Sequence, residues 1–150
     1  MILGFICYNP KVFGKAWQTT ADVSDDKMKG ANMAIIFGVS LLMSFMFAFA
    51  LQFMVIHQFH FGSMLFKQPF NDPNTEIGVM YKTIMDQFGT SYRTFKHGSF
   101  HGTIGGVFVA TPIITINALF ERKGFKYIAI NCGYWIICMG IMGGILSAWM

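Results

Sequence analysis

The sequence predicts an all-α integral membrane protein, built as a small antiparallel helical bundle with three complete transmembrane helices. Three stretches, residues 31–66, 98–120 and 127–150, contain no Asp, Glu, Lys or Arg. Each is longer than the roughly 20 residues that a helix needs to cross a hydrocarbon core of about 30 Å. Hydrophobic residues make up 54% of the chain and charged residues 12%, against roughly 25% charged residues in soluble proteins. These values exclude an ordinary soluble domain.

The chain is expected to form a single membrane domain over residues 1–150. Its first eight residues are apolar but give only about 12 Å of helix, so they predict a truncated first helix. Asn9-Pro10 ends that helix, because proline lacks an amide donor and restricts the residue before it. The predicted elements are a partial helix 1–8, a loop 9–31, a helix 32–56, a middle loop 57–97, and helices 98–120 and 127–150.

The middle loop is predicted to contain an interfacial amphipathic helix over residues 75–88. Its apolar side chains recur at i, i+3, i+4, i+7, i+8 and i+11, in Ile77, Met80, Tyr81, Ile84, Met85 and Phe88. A helix of this kind lies in the membrane interface or caps the bundle. We expect this helix to cover the histidines described below. Its polar face should turn to water or to the histidines and consists of Glu76, Thr83, Asp86 and Gln87.

The distribution of Lys and Arg predicts the orientation. Loops 9–31 and 121–126 together hold seven of these residues, and the longer loop 57–97 holds four. Loops rich in Lys and Arg stay in the cytoplasm, so the middle loop and both chain ends are expected to face outward. The net charge of +4 indicates contact with membrane lipid and no nucleic-acid partner, because no basic stripe alternates with exposed aromatic residues.

Small residues recur every four positions in each complete span. The rows are Ser40, Ser44 and Ala48; Gly98, Gly102, Gly106 and Ala110; and Gly140, Gly144 and Ala148. Such rows let helix backbones approach closely in lipid. Two interpretations stay open: packing inside the bundle, or a face that binds a second copy or another membrane protein.

Asn117 and Asn131 are each seven residues from Gly124, the middle of the short last loop. In an antiparallel hairpin they should lie at similar depth, where an amide needs a partner. A mutual hydrogen bond worth about 0.6–2 kcal/mol is the predicted structural role of this pair.

The four histidines form two close pairs, His57 with His60 and His97 with His101. Residues three or four apart share a helix face, and consecutive antiparallel spans bring both pairs to one side of the membrane. Neutral imidazole is the usual ligand of zinc and also binds copper, iron and nickel. Carboxylates of the middle loop are candidates to complete a metal site, namely Asp72, Glu76 and Asp86.

Other roles for the histidines remain open. Histidine is tolerated at interfaces, where its nitrogens reach water or headgroups, and a cluster can also respond to protons. The cofactor stays unknown; a transition metal such as zinc is a candidate, and haem is a less favoured one. Catalytic residues stay unknown, because the sequence shows no convincing nucleophilic triad or phosphate-binding loop.

Two motifs carry a resemblance to a known family. The sequence YNPKVFGKAW at 8–17 resembles the signature that follows the first helix in the bacterial membrane family catalogued as domain of unknown function 1761. INCGYW at 130–135, with IMGG at 141–144 and Trp149, resembles its last helix, and residues 95–125 resemble the Bacteroidetes-type branch. The resemblance implies a four-helix protein of the bacterial inner membrane and no established activity. Family members usually have a full first helix, whereas only eight residues, 1–8, remain of it here. We therefore expect either that translation starts upstream of residue 1 or that the sequence is a fragment.

Two functions follow as hypotheses. The leading one is an accessory or assembly protein that acts through helix–helix association, as a homo-oligomer or with another membrane protein. The alternative is a metal-binding or haem-binding membrane protein or enzyme, which uses the four-histidine cluster at the outward ends of the second and third helices.

Overall fold

The computed structural model describes residues 2–29 and 31–149, which are largely helical and contain no strand. Residues 1, 30 and 150, which belong to the predicted partial helix, first loop and last span, lie outside the described residues. The helices are α1 (Ile2–Cys7), α2 (Gly14–Ala21), α3 (Asp25–Lys29), α4 (Met33–Val55), α5 (His57–Met64), α6 (Glu76–Phe88), α7 (Phe95–Gly105), α8 (Thr111–Phe120) and α9 (Phe125–Ala148).

Within the described residues, three helices are long and apolar enough to cross a membrane, Met33–Val55, Phe95–Phe120 and Phe125–Ala148. The second consists of α7 and α8 joined by a π-helical turn, Gly106–Ala110. This turn ends two residues before Pro112, which has no amide donor for a regular helical bond. The prediction of a helical protein with three helices long and apolar enough to span a membrane is confirmed.

Side-chain caps fix where several helices begin. The Asn32 side chain accepts a hydrogen bond from the Ile35 amide at the start of α4, and Thr75 accepts one from the Gly78 amide at the start of α6. Both are favoured capping residues, because their short side chains reach the free amides of the first turn. The helix Glu76–Phe88 lies in the segment where the apolar periodicity predicts it.

α7 and α9 pack backbone to backbone. A Cβ atom built on Gly98 would collide with the carbonyl oxygen of Gly143, and one on Gly102 would collide with the carbonyl oxygen of Met139. Farther along, a Cβ on Gly106 would lie 2.7 Å from the Cα of Ile136. The glycine row of the second span, residues 98–120 in the prediction, therefore packs inside the bundle, as expected for close helix contact in lipid.

The first span, α4, joins this pair mainly through its C-terminal end. Leu51, Val55 and Ile56 form the buried core together with Met139 of α9. In an apolar 18-residue stretch of α4, only 6% of the residues are buried. Its small residues Ser40 and Ser44 line a cleft of about 790 Å³ between α1, α4 and α9.

Two hydrogen bonds show which loops lie at which end. Lys123 of the last loop donates to the Ala21 carbonyl at 2.9 Å, so the first and third loops are together. Arg93 of the middle loop donates through Nε to the Ser147 carbonyl at 2.7 Å, so the middle loop lies at the end where α9 finishes.

The predicted bond between Asn117 and Asn131 is wrong for the described structure. Asn131 instead accepts a hydrogen bond from the Tyr8 hydroxyl at 3.1 Å and donates to the Tyr127 carbonyl at 2.8 Å. Asn117 is exposed. Equal distance from Gly124 gives the two residues similar depth but does not fix the direction of their side chains, and Asn117 lies outside the α8–α9 contact.

Candidate metal centre

Three histidines from two helices meet at the end of the bundle that carries the middle loop. The Nε2 atoms of His57 and His97 lie 2.8 Å apart. One ring nitrogen from each of His57, His97 and His101 lies within 4.8 Å of the other two. None of the three residues is buried.

The local fold explains this meeting. The chain leaves α4 at Ile56, whose extended backbone (φ −112°, ψ 98°) separates α4 from α5, so that His57 starts a new helix. Thr94 caps α7 by accepting a hydrogen bond from the His97 amide at 3.2 Å. His101 follows one turn later, and residues four apart share a helix face.

The His57 imidazole favours the neutral state. The pKa of His57 lies below its usual value. The main cause is that partial burial removes water from the ring, and the second is that positive charge on His97 or His60 would repel a proton on His57. At 2.8 Å, one of the two facing Nε2 atoms must donate the proton and the other must accept it. A neutral imidazole keeps one nitrogen lone pair, which is what a metal ion requires.

The spacing fits a transition-metal ion. Zn²⁺ binds histidine nitrogen at about 2.0–2.1 Å, so two ligands of a tetrahedral ion lie about 3.4 Å apart. The observed range, from 2.8 Å up to 4.8 Å, includes this value. Three protein ligands would leave a fourth position of such an ion free, which is the arrangement of catalytic and not of structural zinc sites.

The other predicted ligands lie outside this group. His60 is exposed on α5, and its carbonyl accepts a hydrogen bond from Ser63. The Asp72 carboxylate accepts from the Asn74 amide in the turn before α6. In the described part of the chain no carboxylate joins the three histidines.

The remaining acidic candidates are both on α6. Asp86 pairs with Lys82 one turn earlier on this helix, and Glu76 is exposed in its first turn. Neither carboxylate belongs to the histidine group.

α6 borders the histidine group on one side and does not cover it. Gln58 of α5 donates to the carbonyls of Phe88 at 3.2 Å and Ser91 at 3.0 Å. The rings of Phe61 and Tyr81 stack with an interplanar angle of 3°. Of the predicted apolar face, four residues are partly buried and two, Met80 and Phe88, are exposed. His60 on α5 is exposed, so the expectation that α6 covers all four histidines is wrong in extent.

Tyr92 is a neighbour of the site that the sequence does not predict. Its ring centroid lies 4.9 Å from that of His97 and 6.3 Å from that of His57. Its backbone has φ 62°, which is uncommon for a residue with a side chain. The Tyr92 carbonyl accepts a hydrogen bond from the buried Ser147 hydroxyl at 3.3 Å. Such local strain persists only where surrounding contacts hold it.

Comparison with known proteins gives one family and no individual relative. No curated protein and no solved structure matches the chain. A family model described as "Protein of unknown function (DUF1761)" matches residues 1–147. Because this match covers nearly the whole sequence, the chain belongs to the DUF1761 family.

Proposed function

We propose that this membrane protein binds one transition-metal ion, with zinc favoured, through His57, His97 and His101. The observation that carries the proposal is the convergence of three imidazole nitrogens within 4.8 Å from helices distant in the sequence. Imidazole ligands suit zinc, copper, iron and nickel. With a fourth position free, the ion would be able to bind water or a substrate, as expected for a metal-dependent enzyme or metal handler.

Haem fits this site less well than a single ion. Two axial histidines of a haem lie on opposite faces of a flat macrocycle. The 2.8 Å separation of the His57 and His97 nitrogens leaves no space for the ring between them.

We further propose a multi-pass location in the bacterial inner membrane, with the metal site on the outward side. Loops 9–31 and 121–126 would be cytoplasmic and loop 57–97 outward, since the first two carry seven of the eleven basic residues. The hydrogen bond from Lys123 to Ala21 supports placing both basic loops on one side.

The test is metal content in protein purified without a histidine tag and supplied with zinc. We expect close to one ion per chain in the wild type and loss of most of it in the His101→Ala variant. His60→Ala is the matched control, because His60 is exposed near the group but contributes no ligand atom to it. Equal metal content in wild type and His101→Ala would reject the site.

Helix association is a second candidate function, carried by the exposure of α4. The glycine rows of α7 and α9 are used inside the bundle, whereas only 6% of the residues in the apolar stretch of α4 are buried. The apolar outer face of α4 would then pack against a second copy or another membrane protein, in an accessory or assembly role. Native mass spectrometry from mild detergent should show that complex, and a strictly monomeric protein without co-purifying partners would count against it.

A further inference from the structure

We propose that the pocket between α5 and α6 binds the substrate of the metal site, a small molecule with an apolar body and one N–H or O–H donor. This inference rests on the proposed metal function and adds the class of ligand to it. The pocket has a volume of about 350 Å³, within the range of known ligand sites. At about 30 Å³ per water-sized group, it accommodates roughly ten non-hydrogen atoms.

The pocket and the metal site share His57. Its imidazole lines the pocket on one side and faces the His97 nitrogen on the other. Tyr92 also lines the pocket and lies against the His97 ring. A molecule held in the pocket would therefore contact His57 and Tyr92, the two wall residues that border the histidine group.

Apolar side chains form most of the pocket wall. Phe61 from α5 and Ile84, Met85 and Phe88 from α6 contribute this surface. It favours a hydrocarbon or aromatic body over a charged one, because an unpaired charge against apolar walls is costly. The ligand is thus expected to be uncharged over this part.

Gln58 supplies the polar feature that selects a donor. Its amide nitrogen donates to two backbone carbonyls, those of Phe88 and Ser91, and only an NH₂ group can bond to both. This fixes the orientation of the amide. Its Oε1 atom is then left buried, with no hydrogen-bond donor in the described structure. A buried acceptor without a partner is unfavourable, and an N–H or O–H group of a ligand would satisfy it after a small shift of the side chain.

Hydroxamic acids provide a direct test in full-length protein loaded with Co²⁺. Benzohydroxamic acid has a metal-binding group, an N–H donor and an apolar ring, whereas acetohydroxamic acid lacks the ring. Both should change the visible absorption of bound Co²⁺. We expect benzohydroxamic acid to act at a concentration at least about tenfold lower than acetohydroxamic acid, because its ring has apolar surface to bury in the pocket.

Variants separate the pocket from the ion. Ile84→Trp should fill the pocket, so that the two hydroxamic acids change the Co²⁺ absorption at concentrations within about twofold of each other. Gln58→Leu should weaken benzohydroxamic acid binding by about tenfold. Met80→Trp is the control, since Met80 is exposed on α6 and is not part of the pocket wall. An unchanged Co²⁺ spectrum before the probe is added shows that each variant keeps the folded metal site.

The possible outcomes are distinct. If Co²⁺ binds but both probes act equally in wild type, or Ile84→Trp leaves their ratio unchanged, the pocket assignment is overturned and the metal function stands. If no Co²⁺ binds, the metal function fails. Saturation-transfer NMR with benzyl alcohol on metal-free protein then decides the pocket alone, with transfer lost in Ile84→Trp in its favour and equal transfer against it.

Discussion

Gly98 of α7 and Gly143 of α9 meet with no side chain between them. A Cβ on Gly98 would overlap the carbonyl oxygen of Gly143, and a Cβ on Gly143 would lie 3.1 Å from the Cα of Gly102. This contact holds the last two spans together near the end where the histidines lie. It also sets the distance from α9 to the helix that carries His97 and His101.

Gly98→Ala is therefore expected to destabilise the protein. The added methyl group cannot enter without moving α7 away from α9, and overpacking of this kind costs about 1–3 kcal/mol. Thermal unfolding in detergent, followed by circular dichroism, should show a lower midpoint temperature.

The matched control is Gly133→Ala on α9. A Cβ at Gly133 would meet no heavy atom of the described residues within 4 Å. Because alanine stabilises a helix interior relative to glycine by roughly 0.5–1 kcal/mol, this variant should unfold at an equal or higher temperature. Equal destabilisation by both variants would contradict the close packing at Gly98.

Sequence patterns predict the spans well because each is a run of residues without charge. The starts of the first two spans are also readable, since Asn32 and Thr94 are good capping residues. The pairing of Gly143 with Gly98 is harder to read. The predicted row on α9 runs through Gly140 and Gly144, whereas the contact with Gly98 is made by Gly143, which is not in that row.

The candidate site could be predicted only in part, for a physical reason. Helical spacing identifies His97 and His101 as one face, but the choice of His57 over His60 depends on the extended residue Ile56, which reorients α5. Tyr92 approaches the site through a left-handed backbone. Contacts with Ser147 hold that conformation, and they are distant in the sequence.

Asn131→Leu should destabilise the protein, and Asn117→Leu should not. Asn131 accepts the Tyr8 hydroxyl, so its loss leaves that hydroxyl without its partner, at a cost of about 1–3 kcal/mol. Asn117 is exposed on a membrane-spanning helix, where leucine is better solvated by lipid. Midpoint unfolding temperatures of both variants measure the difference. Equal losses would favour the mutual Asn117–Asn131 bond instead.

Arg93→Met should loosen the loop that carries Tyr92. The Arg93 guanidinium donates to the carbonyls of Ser147 and Trp149 at the end of α9. Hydrogen bonds from a charged group contribute about 1.5–3 kcal/mol when part-buried. Amide hydrogen exchange at residues 90–94 should become faster.

Lys96→Met serves as the matched control for Arg93→Met, since it removes a nearby positive charge from an exposed side chain. Exchange at residues 90–94 should stay as in wild type. If both variants speed exchange equally, the effect comes from charge and not from the contacts of Arg93 with α9.

Metal binding should weaken as the pH falls. An imidazolium ion has no free lone pair, so protons compete with the metal for His57, His97 and His101. Histidine ordinarily has a pKa of about 6.5, and that of His57 is lower because of burial and its histidine neighbours. The His57 imidazole should thus be largely neutral at pH 7.5, and competition from protons is expected below about pH 6.5. Titration of Co²⁺ absorption should give an apparent dissociation constant that rises more than tenfold per pH unit below about pH 6.5, as two or more imidazoles take up protons.

The absorption should return when the pH is restored to 7.5, with an unchanged circular dichroism spectrum throughout. Affinity that stays constant from pH 7.5 to 5.5 would mean that carboxylates hold the ion, and would reject the three-histidine site.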